Sequence, residues 1–430
     1  MRVYLESLGC KLNYSEMEAL ARHLREAGHH IVREGEEADL CVVNTCFVTH
    51  VAARKTRQAI RQLHRAHPQA RLVVTGCYAQ VAPAELAALE GVDLVLSNEE
   101  KDSLPRLILS SIPHPPSLIP HSRPEGRTRA FVKIQDGCDN HCAYCVIRLA
   151  RGRQRSRPKA EVLAEIESFL DAGYKEIVLT GVHIGSYGRD SGEGTLPRSG
   201  TLWSLVEAIL ARQGDFRLRL SSIEPWDFDP ARLHLWEDPR LCRHLHLPLQ
   251  SGCDEVLSRM GRKGRTRDFA AAVEASRRAI PDLAVTTDVI VGFPGETDEE
   301  FAKSLRFAEE MAFARIHVFP FSARPGTPAA EMPNQISPQA IEERRQAMLE
   351  LARKSSLRFR EKFLGRTMAV LWEKRTLPQD SEPARGSAWS GLTDNYIRVE
   401  ARCEEDLYNR ITSVKLVALT ERGMWGKNAG

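Results

Sequence analysis

The sequence predicts a three-part α/β protein: an N-terminal open parallel α/β sheet, a central partial (βα)6 TIM-like barrel and a C-terminal small β-barrel. Three observations predict it. Short apolar runs alternate with helix-like segments in two separate series, a proline-rich stretch without periodicity divides them, and the last roughly 60 residues turn to short β-rich runs. At roughly 100 to 200 residues per domain, 430 residues accommodate two to four such units.

In the first series the strand-like runs are 3–8, 38–43, 71–74 and 92–96, inside a unit of residues 1–110. The stretch 111–128 reads as a linker. The second series, within 129–335, has runs at 131–135, 176–180, 216–220, 244–248, 285–291 and 315–319, with helices such as 159–172 and 298–311 between them. The Gly/Ser-rich stretch 188–200 reads as a loop beside the barrel mouth. A connecting helix at 338–363, within 336–363, leads to a last unit of 364–430, with short runs at 368–372, 395–399 and 413–418 and a loop at 378–391.

No stretch approaches the roughly 18 apolar residues of a membrane helix, and Met1 runs straight into a strand pattern instead of a signal peptide, so a cytoplasmic protein is expected. Net charge is only +3, so any nucleic-acid surface must be local. Four basic clusters are available: Arg54 to Arg71, Arg148 to Lys159, Arg259 to Arg267, and Arg353 to Arg366. Together they predict a phosphate-contacting surface, although any one alone reads as a solvated helix face.

Ten cysteines in such a chain point to metal or redox chemistry and away from disulfides. Cys138, Cys142 and Cys145 form C-x3-C-x2-C just after the first strand of the second series, with no fourth cysteine or paired histidine at zinc spacing. Three thiolates on a four-iron cube leave one iron open, a vacancy suited to chelating the amino and carboxylate groups of S-adenosylmethionine. Cys10, Cys46 and Cys77 each follow an apolar strand, in SLGCKLN, VVNTC and VVTGC. Ligands collect at the carboxyl ends of parallel strands, so these three either converge on one sheet edge or are unrelated buried thiols. Cys41, Cys242, Cys253 and Cys403 share no spacing and read as structural.

The segments GCDNHCAYCVIRLARGRQRSR, EIVLTGVHIGSYG, LRLSSIEP, HLHLPLQSGCD and TDVIVGFPGET follow one another in the order found in the methylthiotransferases of the radical S-adenosylmethionine superfamily, and the chain resembles that family along essentially its whole length. The resemblance implies an N-terminal methylthiotransferase domain and a C-terminal TRAM domain. It implies a second, auxiliary [4Fe-4S] cluster on Cys10, Cys46 and Cys77, whose open iron could bind the sulfur to be transferred. It places Thr180 and Gly181 at the cofactor's amino group, Ser222, Glu224, Gln250 and Asp288 within reach of its ribose or methionine polar atoms, and Gly292 beside its adenine. It further implies two uses of S-adenosylmethionine, as methyl donor to sulfur and as source of a 5′-deoxyadenosyl radical acting at C2 of an adenine.

After Cys10 the chain reads Lys11, Leu12, Asn13, which resembles the CK-x-N of the MtaB branch, as does LSSIEP at 220–225. The implied substrate is N6-threonylcarbamoyladenosine at tRNA position 37, converted to its 2-methylthio form. Sibling branches act on isopentenyladenosine or on a ribosomal-protein aspartate, and a cluster- or zinc-stabilised RNA-binding protein is the non-enzymatic alternative. Arg358, Arg360, Lys362 and Arg366 are the expected RNA contacts beside a barrel suited to RNA. A one-electron donor and a sulfur donor are the other expected partners. Gly261 and Gly264 in RMGRKGRT stand where relatives often carry bulkier side chains, so contacts made there in relatives do not carry over.

Overall fold

The computed structural model describes residues 1–101, 104, 127–190, 201–376 and 387–428. The linker expected at 111–128 lies, apart from Arg127 and Thr128, outside the described residues, as does most of the loop at 188–200.

The N-terminal strands are β1 (Arg2–Ser7), β2 (His30–Val32), β3 (Leu40–Thr45), β4 (Arg71–Gly76) and β5 (Leu94–Val95), all parallel in the order β2-β1-β3-β4-β5. β3 is buried at every position because helices cover both faces of the sheet. Leu40 and Val42 pack with Met17, Leu20 and Leu24 of the helix Lys11–Glu26, while Cys41 and Val43 pack with Ile60 of the helix His50–Ala66 on the other side. The edge strand β2 was not expected. At three residues it is too short for alternation to register.

The central strands are β6 (Arg129–Lys133), β9 (Glu176–Thr180), β10 (Arg217–Leu220), β11 (His244–His246), β12 (Ala284–Val291) and β13 (Arg315–Pro320), each within two residues of its expected bounds; the short ribbon β7 (Gln135–Asp136) with β8 (Arg155–Ser156) lies beside them. They form two parallel three-stranded sheets, β10-β9-β6 and β11-β12-β13, joined by parallel bridges Leu218 to Leu241 and Ser222 to His246. The result is an open six-stranded arc, the expected partial barrel. Ile177, Leu179, Leu218, Leu220, Val285 and Val289 belong to the main apolar core against the surrounding helices. By strand alternation, Glu176, Thr180, Arg217, Arg219, His244, His246, Thr286 and Asp288 face the other way and make the concave face polar.

The helix Pro338–Glu361 starts with Ser337 capping the Ala340 amide and Pro338 in its first turn, and leads into the last unit. There β14 (Thr367–Thr376), β15 (Ser387–Thr393), β16 (Arg398–Cys403), β17 (Ile411–Leu419) and β18 (Met424–Asn428) close into a barrel of order β14-β15-β16-β18-β17. Two sequence expectations need correction. The loop placed at 378–391 ends in strand β15, because SAWSGLT carries small and polar residues that are nevertheless buried by closure of the barrel. The strand placed at 395–399 begins only at Arg398, since Tyr396 adopts a left-handed φ of 68° in a turn.

Polar contacts join the three parts. Ser15 Oγ donates to Phe131 O at 2.7 Å, and Arg22 pairs with Glu165. Arg217 donates to the carbonyls of Ala369 and Leu392, Arg219 to those of Thr393 and Asp394, and Arg243 forks onto the Asp394 carboxylate. Among the described residues no helix is long and apolar enough to cross a membrane.

Candidate functional site

Cys138 follows β7 by two residues, and its loop is fixed at several points. The Cys138 amide donates to Gly152 O at 3.2 Å and the Cys145 amide to Cys142 O at 3.0 Å, while Ala143 is tied to Met260 and Ala329 through its amide and carbonyl. All three thiols lie within electrostatic reach of one another and are partly exposed. Burial pushes the Cys145 thiol up to about 12, with Cys142 and Cys138 adding to it, so loading with iron has to displace protons.

Cys142 is raised by burial and drawn back down by Arg262, whose side chain is 3% exposed. Arg262 also pairs with Glu224 at 2.7 Å, donates to Pro248 O at 2.6 Å and stacks on Trp226. The basic spacing of 259–267 reads as a phosphate surface, yet Arg262 sits inside the site and Arg259 is taken by Glu300. His183 was also missed. Its Nδ1 lies 3.9 Å from the Cys138 sulfur and its Nε2 meets Asp227. Burial lowers its pKa, but the bonds to Asp227 and Cys138 prevail and leave it at about 9. His141, inside the motif, is exposed and turned to Arg148.

Thr180 ends β9 and Gly181 follows it, Ser222 and Glu224 follow β10, Gln250 follows β11, and Gly292 follows β12. All therefore lie on the same rim as the cysteine loop. Gln250 is held at φ 68°, with its amide donating to Asp288 O and its carbonyl accepting from Ile290. Asp288 lies within β12, where His246 and His317, each at 3.2 Å, hold its carboxyl well below the usual range despite burial. Gly292 donates its amide to Glu296, and any side chain there would collide with Ile341.

Cys10 follows β1, Cys46 follows β3 and Cys77 follows β4, three strands adjacent in the sheet, so topology converges the three thiols on one edge. Gly9 makes this possible, because a Cβ there would lie 2.6 Å from the Cys46 Cβ. Burial raises Cys46 to about 11, with Cys77 and Cys10 near enough to add to the shift. Two buried arginines stand beside the trio. Arg151 donates to Asn13 and pairs with Glu16 and Asp136, and Arg324 stacks on Phe47 at 4.8 Å near Cys46.

Cys145 of the loop trio and the segment just after Cys46 border one cleft. A cavity of about 160 Å³ is lined by Tyr144, Cys145, Gln250 and Ile290 from the arc and by Val48 and Thr49, which closely follow Cys46. Among the described residues no three His, Cys, Asp or Glu side chains are drawn in as tightly as a single ion requires. Mutual proximity, an open rim and cationic neighbours that offset thiolate charge all fit a cluster at each trio.

The expected RNA contacts are not brought together. Arg360 is 8% exposed and spends its guanidinium on the carbonyls of Thr420 and Gly423, so it does not reach a phosphate. Arg366 forks onto Asp282, and Arg353 and Lys354 pair with Glu350. Arg358 and Lys362 stay exposed. The helix His50–Ala66, which holds no acidic residue, exposes Arg54, Lys55, Arg61 and Arg65 with no ion pair among the described residues.

Residues 2–97 match the family described as Uncharacterized protein family UPF0004, and residues 132–308 match the Radical SAM superfamily. The chain is 37% identical over 98% of its length, and 96% of the relative's, to a protein of Thermotoga maritima named threonylcarbamoyladenosine tRNA methylthiotransferase MtaB. It is 39% identical over 98% of its length, and 97% of the relative's, to one of the same name from Chlamydia pneumoniae. A tRNA-2-methylthio-N(6)-dimethylallyladenosine synthase of Thermobifida fusca is 37% identical over 85% of this chain and 77% of its own. In fold, the radical S-adenosylmethionine methyltransferase TsrM of Kitasatospora setae superposes with a TM-score of 0.56 at 16% identity, covering 88% of this chain and 80% of its own. The chain belongs to the tRNA methylthiotransferase family of the radical S-adenosylmethionine superfamily.

Proposed function

We propose that this protein converts N6-threonylcarbamoyladenosine at tRNA position 37 to its 2-methylthio derivative. The observation that carries the reading is the shared cleft, in which Cys145 of one trio and the residues just after Cys46 of the other line a single cavity. Relatives at 37–39% identity over nearly the whole chain bear the name of that activity.

Cys138, Cys142 and Cys145 would hold one [4Fe-4S] cluster and Cys10, Cys46 and Cys77 the auxiliary one, the first supplying one-electron cleavage of S-adenosylmethionine and the second a seat for sulfur. Thr180, Gly181, Ser222, Glu224, Gln250 and Gly292 would contact the cofactor from the rim of strand ends, and Asp288 from within β12. Arg262 orients Glu224 and offsets the charge of Cys142, while Tyr144 and Ile290 line the cavity. The protein divides into a methylthiotransferase unit of 1–110, the central unit of 129–335 and a TRAM unit of 364–430. tRNA phosphates meet Arg358 and Lys362 and the acid-free face of the helix His50–Ala66. The reaction draws on a one-electron donor and a sulfur donor, in the cytoplasm.

The test is turnover of tRNA carrying threonylcarbamoyl against tRNA carrying isopentenyl, read as 2-methylthio nucleosides by mass spectrometry. Modification of the first alone is expected. Equal turnover of both would reject the substrate and leave the family intact.

A further inference from the structure

Lys11 follows the thiol Cys10 and opens the helix Lys11–Glu26. Its ammonium lies 5.9 Å from the centre of the Tyr396 ring, largely buried among Arg219, Arg129 and Glu176. Three parts of the chain thus meet at one polar point. Arg219 is engaged there, with Glu176 at 2.7 and 3.0 Å and the carbonyls of Thr393 and Asp394 accepting from its guanidinium. Arg129 gives its Nε to Glu373 at 2.7 Å, but its Nη1 is buried with no hydrogen-bond partner. Lys11 Nζ has neither a hydrogen bond nor an ion pair among the described residues.

Glu176 pairs with Arg219 and Glu373 with Arg129, and the Tyr396 phenol, which burial would raise but Lys11, Arg129 and Arg219 draw down, shares the point with them. Lys11 Nζ and Arg129 Nη1 are left without a hydrogen bond among the described residues. The face of the Tyr396 ring offsets an ammonium in part, yet a buried charge without an anion is costly. An anion bound between Lys11 Nζ and Arg129 Nη1 would satisfy both donors.

We propose that Lys11 and Arg129 form a carboxylate-binding subsite that takes the acid group of the threonylcarbamoyl arm. This deepens the substrate reading above and rests on it. Position favours that arm over a backbone phosphate. Lys11 adjoins the thiol of the auxiliary trio, beside which the base being modified has to lie, whereas the exposed cations stand elsewhere, on the helix His50–Ala66 and at Arg358 and Lys362. A carboxylate on a flexible arm reaches such a point, and a hydrocarbon arm would leave both donors unsatisfied, which builds rejection of isopentenyl into the same residues.

A cycle between residue and ligand group tests it with the full-length, iron-loaded enzyme. The probes are tRNA bearing the threonylcarbamoyl arm and the same tRNA with that carboxylate masked as its methylamide. KM and kcat of methylthiolation are measured for the parent, Lys11→Met, Lys11→Gln and Lys11→Arg, each matched in iron content. The parent is expected to lose on the order of 100-fold in kcat/KM on masking, mostly through KM. Lys11→Met and Lys11→Gln should lose a similar factor on the acid and little more on the amide, and Lys11→Arg should recover most of the acid rate. Equal losses of each variant on acid and amide would show that Lys11 only braces the junction, and would overturn the subsite. Full activity of Lys11→Met on the acid would overturn it as well, with the substrate reading untouched. A parent enzyme that ignores threonylcarbamoyl tRNA and modifies isopentenyl tRNA would overturn both.

Discussion

Cys138, Cys142 and Cys145 fall within eight residues of a single loop, whereas Cys10, Cys46 and Cys77 follow three different strands and span 68 residues. The loop trio is held mainly by local hydrogen bonds from Cys138 and Cys145, with Ala143 tied to Met260 and Ala329. The sheet trio is held by strand order and by one glycine that lets Cys46 approach Gly9. A local trio survives changes elsewhere in the fold, while a sheet trio depends on the register of β1, β3 and β4. The two sites should fail differently when damaged.

The largest effect is expected from the cysteines. The reconstituted parent should bind about eight irons per chain and either trio's variant about four. Cys142→Ala should abolish both 5′-deoxyadenosine and methylthiolated product, while Cys46→Ala should lose product and retain some cleavage. The ratio of 5′-deoxyadenosine to product separates the trios; a Cys46→Ala enzyme with the parent ratio would remove the sheet trio from sulfur insertion.

Next comes Arg151, which leans on both regions: its guanidinium joins Asn13 and Glu16 of the first unit to Asp136 of the second. Arg151→Ala strips a buried cation from two carboxylates and should cost about 3 kcal/mol, with Lys101 and Lys133 still holding Glu16. Thermal unfolding checks this, and an unmoved midpoint would mean the two units are coupled elsewhere.

The smallest effects distinguish fixed from free cations near the C-terminus. Arg360→Ala should lower stability by about 1–2 kcal/mol through its lost carbonyl contacts and leave the salt dependence of tRNA binding alone. Paired replacement of Arg358 and Lys362 should do the reverse, with the logarithmic salt slope falling by about 0.9 for each duplex phosphate contact removed. A flattened slope in Arg360→Ala would return that residue to the RNA surface.

Much of this was legible before any fold was known. The central strands and the C-x3-C-x2-C loop were read from periodicity and spacing, because both are local properties of the chain. Strand β15 was missed because SAWSGLT has no apolar alternation of its own and is buried only by its neighbours. The basic clusters misled for a related reason. Spacing locates Arg262, Arg360 and Arg366 along the chain, but not the partners that take up their charge, which are Glu224, two carbonyls and Asp282.

By itself the sequence determined the three-part α/β architecture, the loop trio and the carboxyl-end placement of Cys10, Cys46 and Cys77, since strand and helix periods and ligand spacing are written in neighbouring residues. Only the tertiary structure decided that β1, β3 and β4 lie side by side, that Cys145 and the segment just after Cys46 line one cleft, and that Lys11 and Arg129 come together at Tyr396. The physical reason is that strand order and charge balance are properties of contacts between segments distant in the chain, and no local pattern encodes which carboxylate a buried cation will find.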